Sequence, residues 1–126
     1  MKSVIVAFVL SAAVVLGSMA YTRKMDEVTG EMEDINSAIT LCLENDNFSG
    51  AGEKTELLKS CIERNAVLME TMGNHEETDK IKMNLSELER FIAGEKCTDA
   101  LSKCGVLEFL IKHLRDVSHL TIENIL

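Results

Sequence analysis

The residues Met25, Val28, Met32, Ile35, Ile39 and Cys42 recur at alternating spacings of three and four, and this rhythm constrains the fold more than any other feature of the chain. Residues three and four apart share one face of an α-helix, whereas a strand alternates its faces every second residue. One apolar stripe therefore runs along a first helix spanning about residues 23–46. The same spacing returns in Leu57, Leu58, Cys61, Ile62, Leu68, Met69 and Met72, which predicts a second helix over 53–72. Ile81, Leu85, Leu88, Phe91 and Ile92 predict a third, and the series from Ala100 and Leu101 through Leu107, Ile111 and Leu114 to Val117 predicts a fourth beginning at Cys97.

Turn chemistry separates these segments. The stretch NDNFSGAG, residues 45–52, is dense in turn formers and is expected to end the first helix. Gly73 and Asn74 close the second, Asn74 with Glu77 or Thr78 caps the third, and Gly94 stops it. The chain has no proline and no tryptophan, one tyrosine and four phenylalanines, a composition that disfavours strands and permits long helices. The tail SHLTIENIL either continues the last helix or folds back over the bundle. The expected class is all-α, a small four-helix bundle, with square up-and-down and orthogonal packing both compatible with the pattern.

The first twenty residues have a different character. Lys2 precedes a run over residues 4–16 that is apolar but for Ser11, followed by the small-residue pattern Ser18-Met19-Ala20. This is the layout of a secretory signal peptide cut after Ala20. The run is shorter than the roughly 20 residues of a membrane span, and Arg23 and Lys24 would stand on the outer side of an anchor. The expectation is a signal peptide over 1–20, no transmembrane anchor, and a single helical domain over 21–126, secreted and extracellular.

Export governs the reading of Cys42, Cys61, Cys97 and Cys104. An even number of cysteines in a short secreted chain predicts two disulfides. Cys97 and Cys104 are seven apart, roughly 10 Å along a regular helix, more than the 7 Å or so that a disulfide tolerates between Cα atoms. Pairing them requires an irregular corner near Gly94 and Gly105. In a square bundle, joining Cys61 to Cys97 or Cys104 would cross the core. The local scheme, Cys42 with Cys61 and Cys97 with Cys104, is favoured on that ground. The interleaved scheme of Cys42 with Cys97 and Cys61 with Cys104 suits orthogonal packing, and the third connectivity stays open. Zinc is disfavoured, since no close Cys-x-x-Cys pair occurs and no histidine is in register.

Charge narrows the partners. Thirteen basic residues stand against 21 acidic ones, a net charge of −8, and such a surface repels phosphate backbones and anionic headgroups. Nucleic-acid binding is excluded on that argument. No cofactor motif, phosphate loop, calcium loop or Gly-x-Ser-x-Gly elbow occurs. His113 and His119 are six apart, on different helix faces, and His75 sits in a capping turn beside Glu76 and Glu77. The adjacent cysteines and His-Asp pair of secreted phospholipases are missing. No catalytic residues, metal ligands or cofactors are expected, and the protein is read as a non-enzyme. The sequons at Asn47 and Asn84 are possible glycan acceptors, Asn47 in the loop being the better placed.

In class the chain resembles the small secreted helical carriers of odorants, pheromones or lipids, and equally the helical polypeptides of venoms and saliva. Its cysteine spacing matches neither the six-cysteine odorant-binding pattern nor the four-cysteine chemosensory one. The resemblance implies a secreted, non-enzymatic binding protein that carries an apolar small molecule or lipid. Its cavity would lie between the helices, lined by Met32, Ile35, Leu68, Leu88, Phe91, Leu107 and Ile111. The alternative it implies is a secreted effector or toxin acting through its surface on an extracellular protein or a membrane, the tail over 121–126 being its expected contact. Met25, Met32, Met69, Met72 and Met83 suit either an adaptable cavity or ordinary core packing.

Overall fold

A computed structural model of the chain describes residues 1–71 and 75–125, without the side chains of Thr121 and Ile125. Met72, Gly73, Asn74 and Leu126, with the inner-face, closing, capping and tail roles expected of them, lie outside the described residues. Every element among the described residues is helical: α1 (Lys2–Glu44), α2 (Phe48–Arg64), α3 (Ala66–Glu70), α4 (His75–Ala93) and α5 (Cys97–Ile125).

Helix α1 packs against α2 and α5, and α4 completes the square by packing against the same two. Going round the bundle the order is α1, α2, α4, α5, so α1 faces α4 and α2 faces α5 across the core. The short α3 fills the corner between α2 and α4. Of the stripe predicted for α1, Met25, Val28, Met32 and Ile39 are buried in the core, Ile35 and Cys42 pack against it half-buried, and Leu43, outside the predicted stripe, is buried with them. Leu58, Ile62, Ile81, Leu88, Leu107, Ile111 and Leu114 meet it from the other three sides. The last helix continues through the tail, with Ser118 and Ile122 buried and Leu120 exposed.

Two tight connections at one end of the bundle share one construction. After α1, Asp46 adopts φ 54°, its N–H bonds the Leu43 carbonyl and that of Asn47 bonds Cys42. After α4, Glu95 adopts φ 54°, its N–H bonds Ile92 and that of Lys96 bonds Phe91. These are paired Schellman bonds closing over a left-handed residue, a position glycine usually fills. Gly94 therefore precedes the special position at the predicted stop and does not occupy it.

Three sequence expectations are corrected. The first helix does not begin at residue 23, because the apolar leader and the bundle helix are one helix without a break. The turn expected over 45–52 is only three residues long, since Asn47 caps α2 by accepting the N–H of Gly50 at 2.9 Å and so recruits Ser49, Gly50, Ala51 and Gly52 into the helix. Gly50 suits this arrangement, as a Cβ there would collide with the Asn47 amide. The predicted second helix divides at Asn65, whose side chain donates to the Cys61 carbonyl at 2.8 Å, a back-bond that competes with the helical ladder.

The disulfides are the fourth correction. Cys42, Cys61, Cys97 and Cys104 are all free thiols, and the helix register says why. Cys42 lies near the end of α1, whereas Cys61 lies thirteen residues into an α2 that runs the opposite way, which separates them by over a dozen ångströms along the axis. Cys97 and Cys104 share regular α5, with no corner at Gly105. Cys61 and Cys104 sit on the two helices that face each other across the core. Cys97 does approach the α1 terminus, but its thiol reaches the Leu43 carbonyl at 3.2 Å and no sulfur.

Candidate functional site

The residues expected to line an inter-helix cavity occupy one region, and that region is the core. Met32, Leu88, Leu107 and Ile111 are fully buried, while Ile35, Leu68 and Phe91 pack against them from partly buried positions. The expected glycan acceptors separate: Asn47 is exposed in its capping role, and Asn84 is half-buried, donating to the Lys80 carbonyl and accepting from Lys103.

The α1–α5 seam is polar by design of its register. Arg115 ion-pairs with Glu33 at 2.7 Å and donates to the buried Thr29 hydroxyl at 2.9 Å. One step further up, the buried Asn36 donates to the Cys104 carbonyl at 2.9 Å. Such bonds fix the vertical alignment of two long helices, because a slip of one turn would leave each partner unsatisfied. Burial pushes the Cys61 and Cys104 thiols up from their ordinary pKa, Cys61 further through the Glu31 carboxylate, so both are poor nucleophiles.

Each histidine faces a carboxylate across a helix junction: His75 with Glu70, His113 with Glu77 at 3.6 Å and His119 with Asp26 at 2.8 Å. These pairs join helix to helix at the end of the bundle where α1 enters. His113 also stacks on Phe109. Among the described residues no group of three metal-ligating side chains converges.

Two surfaces among the described residues have the extent of a contact site. One is the apolar start of α1, where Val4, Ile5, Phe8, Val9, Leu10, Val14, Val15 and Leu16 are all exposed, Phe8 at 75%. The other is the α2–α4 seam, where an open groove of about 480 Å³ runs between Phe48, Gly52 and Glu56 on one side and Glu89, Ile92 and Glu95 on the other. A second groove of about 300 Å³ continues it past Ile62 and Leu85. The signal for the first surface was present in the sequence, since no charge stands between Lys2 and Arg23. The second surface could not be read there, because it depends on which helices become neighbours.

Fold and surfaces define a four-helix bundle whose first helix extends into an apolar segment. The family model described as Domain of unknown function (DUF4363) matches residues 19–125, and the chain belongs to that family. The match begins at the foot of the bundle and leaves nearly all of the apolar segment outside it. No match was found among curated proteins or among solved structures.

Proposed function

We propose that the protein is a non-enzymatic binding module held at a membrane by the apolar half of α1. The observation that carries this reading is the contrast within one helix. Residues 4–17 are exposed throughout, and from Met25 onward the same helix supplies a core stripe. Exposing so much contiguous apolar surface to water is strongly unfavourable. The charge-free run from Lys2 to Arg23 is about 20 residues, the length that crosses a hydrocarbon core of about 30 Å.

Details at the junction fit this placement. Ser18 is buried, and the Tyr21 hydroxyl donates to the Leu68 carbonyl at 3.5 Å, so bundle packing starts where the apolar run stops. Tyr21, Arg23 and Lys24 then fall at headgroup level, where aromatic and basic side chains are favourable; the two basic residues count against an anchor only where the bundle lies on the outer side. The helix also runs unbroken through Ser18, Met19 and Ala20, as a retained anchor joined rigidly to the bundle requires.

A carrier of apolar small molecules would need to part Met32, Leu88, Leu107 and Ile111, side chains that now fill the core. A freely secreted effector would need the apolar segment removed. Binding through the bundle surface requires neither. Membranes from expressing cells, extracted at alkaline pH, are the test: the intact chain stays with the lipid pellet, and a double variant Leu10→Arg and Val14→Arg goes to the supernatant. Release of the unaltered chain would contradict the anchor.

A further inference from the structure

We propose that the α2–α4 groove is the docking site for a basic segment of a partner protein, one that sets an apolar side chain between cationic ones. This rests on the reading of the bundle as a binding module, but not on its membrane attachment.

The argument begins with the groove floor. Gly52 has no side chain to cover the seam, and a Cβ there would meet Ile92 only at 4.0 Å. The helices therefore leave an open channel floored by Ile92, with Phe48 and Ala93 at its upper end. A volume of about 480 Å³ accommodates a large aliphatic or aromatic side chain with space at its flanks. Such an anchor pocket is where binding energy concentrates in protein interfaces.

The rim sets the sign of the partner. Glu53, Glu56, Glu89 and Glu95 border the channel. Glu89 is shared with Lys59 at 3.8 Å, while Glu53, Glu56 and Glu95 have no ion pair among the described residues. Other carboxylates are matched, Glu33 by Arg115, Glu87 by Lys103 and Glu70 by Lys82; Asp34, Asp116 and Glu123 also stand without an ion pair among the described residues, but they do not line this channel. Unmatched carboxylates around an apolar floor are complementary to cations flanking an apolar residue, and they suppress acidic partners.

Position completes the case. The groove adjoins the two tight connections, at the end of the bundle farthest from the apolar segment.

The test uses the full chain in nanodiscs of zwitterionic lipid. The probe is a short fluorescent peptide with one central leucine between lysines, too hydrophilic to partition into that lipid, and binding is read as anisotropy. The triple variant Glu53→Lys, Glu56→Lys and Glu95→Lys should weaken binding about tenfold or more. The control triple Asp34→Lys, Asp116→Lys and Glu123→Lys, equal in net charge, should change it by less than about twofold. Gly52→Leu, which covers the floor, should weaken the leucine peptide about tenfold and leave an all-lysine peptide unchanged.

Equal weakening by both triples, no effect of Gly52→Leu, or no binding at all would overturn the proposal. Equal binding of free spermine would assign the rim to small cations, charge-independent binding of a neutral amphiphile would assign the floor to an apolar ligand, and dimerisation by sedimentation would assign the groove to a second copy. Each of these also overturns it. Unchanged helical melting of every variant separates these outcomes from misfolding. Loss of peptide binding with the chain still resistant to alkali would sink the groove and leave the anchor standing.

Discussion

The two halves of α1 obey opposite rules although no break divides them. From Met25 to Leu43 the helix is amphipathic, with one stripe in the core and Glu31 and Asp34 exposed on other faces. From Val4 to Leu16 it is apolar but for Ser11 and exposed throughout. A helix hydrophobic on every side is stable only inside a large core or a bilayer, and the bundle does not enclose this one. On the proposed reading one backbone serves two solvents, and the change-over falls within about one turn, between Ser18 and Thr22.

The largest expected effect tests that division directly. Met32→Ala removes a fully buried side chain and should cost about 2–5 kcal/mol in denaturant melts of the detergent-solubilised chain. Leu10→Ala should stay within about 0.5 kcal/mol. Similar losses at both positions would mean that the two halves share one core.

The polar seam sharpens the comparison. Arg115→Ala strips the partly buried Glu33 and the fully buried Thr29 of their shared partner, and the same melts should register a loss of about 1.5–3 kcal/mol. Arg115→Lys should recover a part of it, since the charge returns without the planar fork that reaches both partners at once.

Glycine substitutions probe the halves without touching a contact. A Cβ at Gly30 or at Gly17 would meet nothing within 4 Å. Gly30→Ala should therefore raise bundle stability by about 0.5–1 kcal/mol through helix propensity. Gly17→Ala should leave the melting of the bundle where it was. A matching gain at Gly17 would place that residue inside the cooperative unit.

The thiols give the smallest effect at neutral pH and a growing one above it. Burial raises the pKa of Cys61 and Cys104 in the folded chain, so on unfolding they ionise at the lower, ordinary thiol value of 9.0. Their contribution is fully present below that pH and is lost as pH rises through and beyond it. Stability measured from pH 7 to 10 should fall at the alkaline end, and Cys61→Ala with Cys104→Ala should flatten the fall. In denaturant, four alkylations per chain without reductant are expected, and any pair resistant until reduction would restore a disulfide.

Much of the bundle was legible in the sequence for a local reason. The stripes of α1, α4 and α5 are periodic, and periodicity needs no knowledge of neighbours. The boundaries failed where single side chains decide them: Asn47 turned a glycine-rich loop into the first turns of α2, and Asn65 divided the predicted second helix. The cysteines misled because their even count was read through an assumed oxidising compartment, while their pairing depended on axial register. The apolar segment was measured to Leu16 by hydropathy alone, although the absence of charge as far as Arg23 was in plain view. The groove was not legible at all, since Gly52 and Ile92 are far apart in sequence and become neighbours only when α2 lies beside α4. The Arg115–Glu33 and His119–Asp26 pairs were hidden for the same reason.

The intact mass of the protein purified from membranes of its own cells tests the central claim most directly. Retention of α1 as one helix through bilayer and bundle predicts a single mass that includes residues 1–20, in the alkali-resistant fraction. A mass beginning at Tyr21, recovered in the soluble fraction, would contradict it and return the apolar half of α1 to the role of a discarded signal.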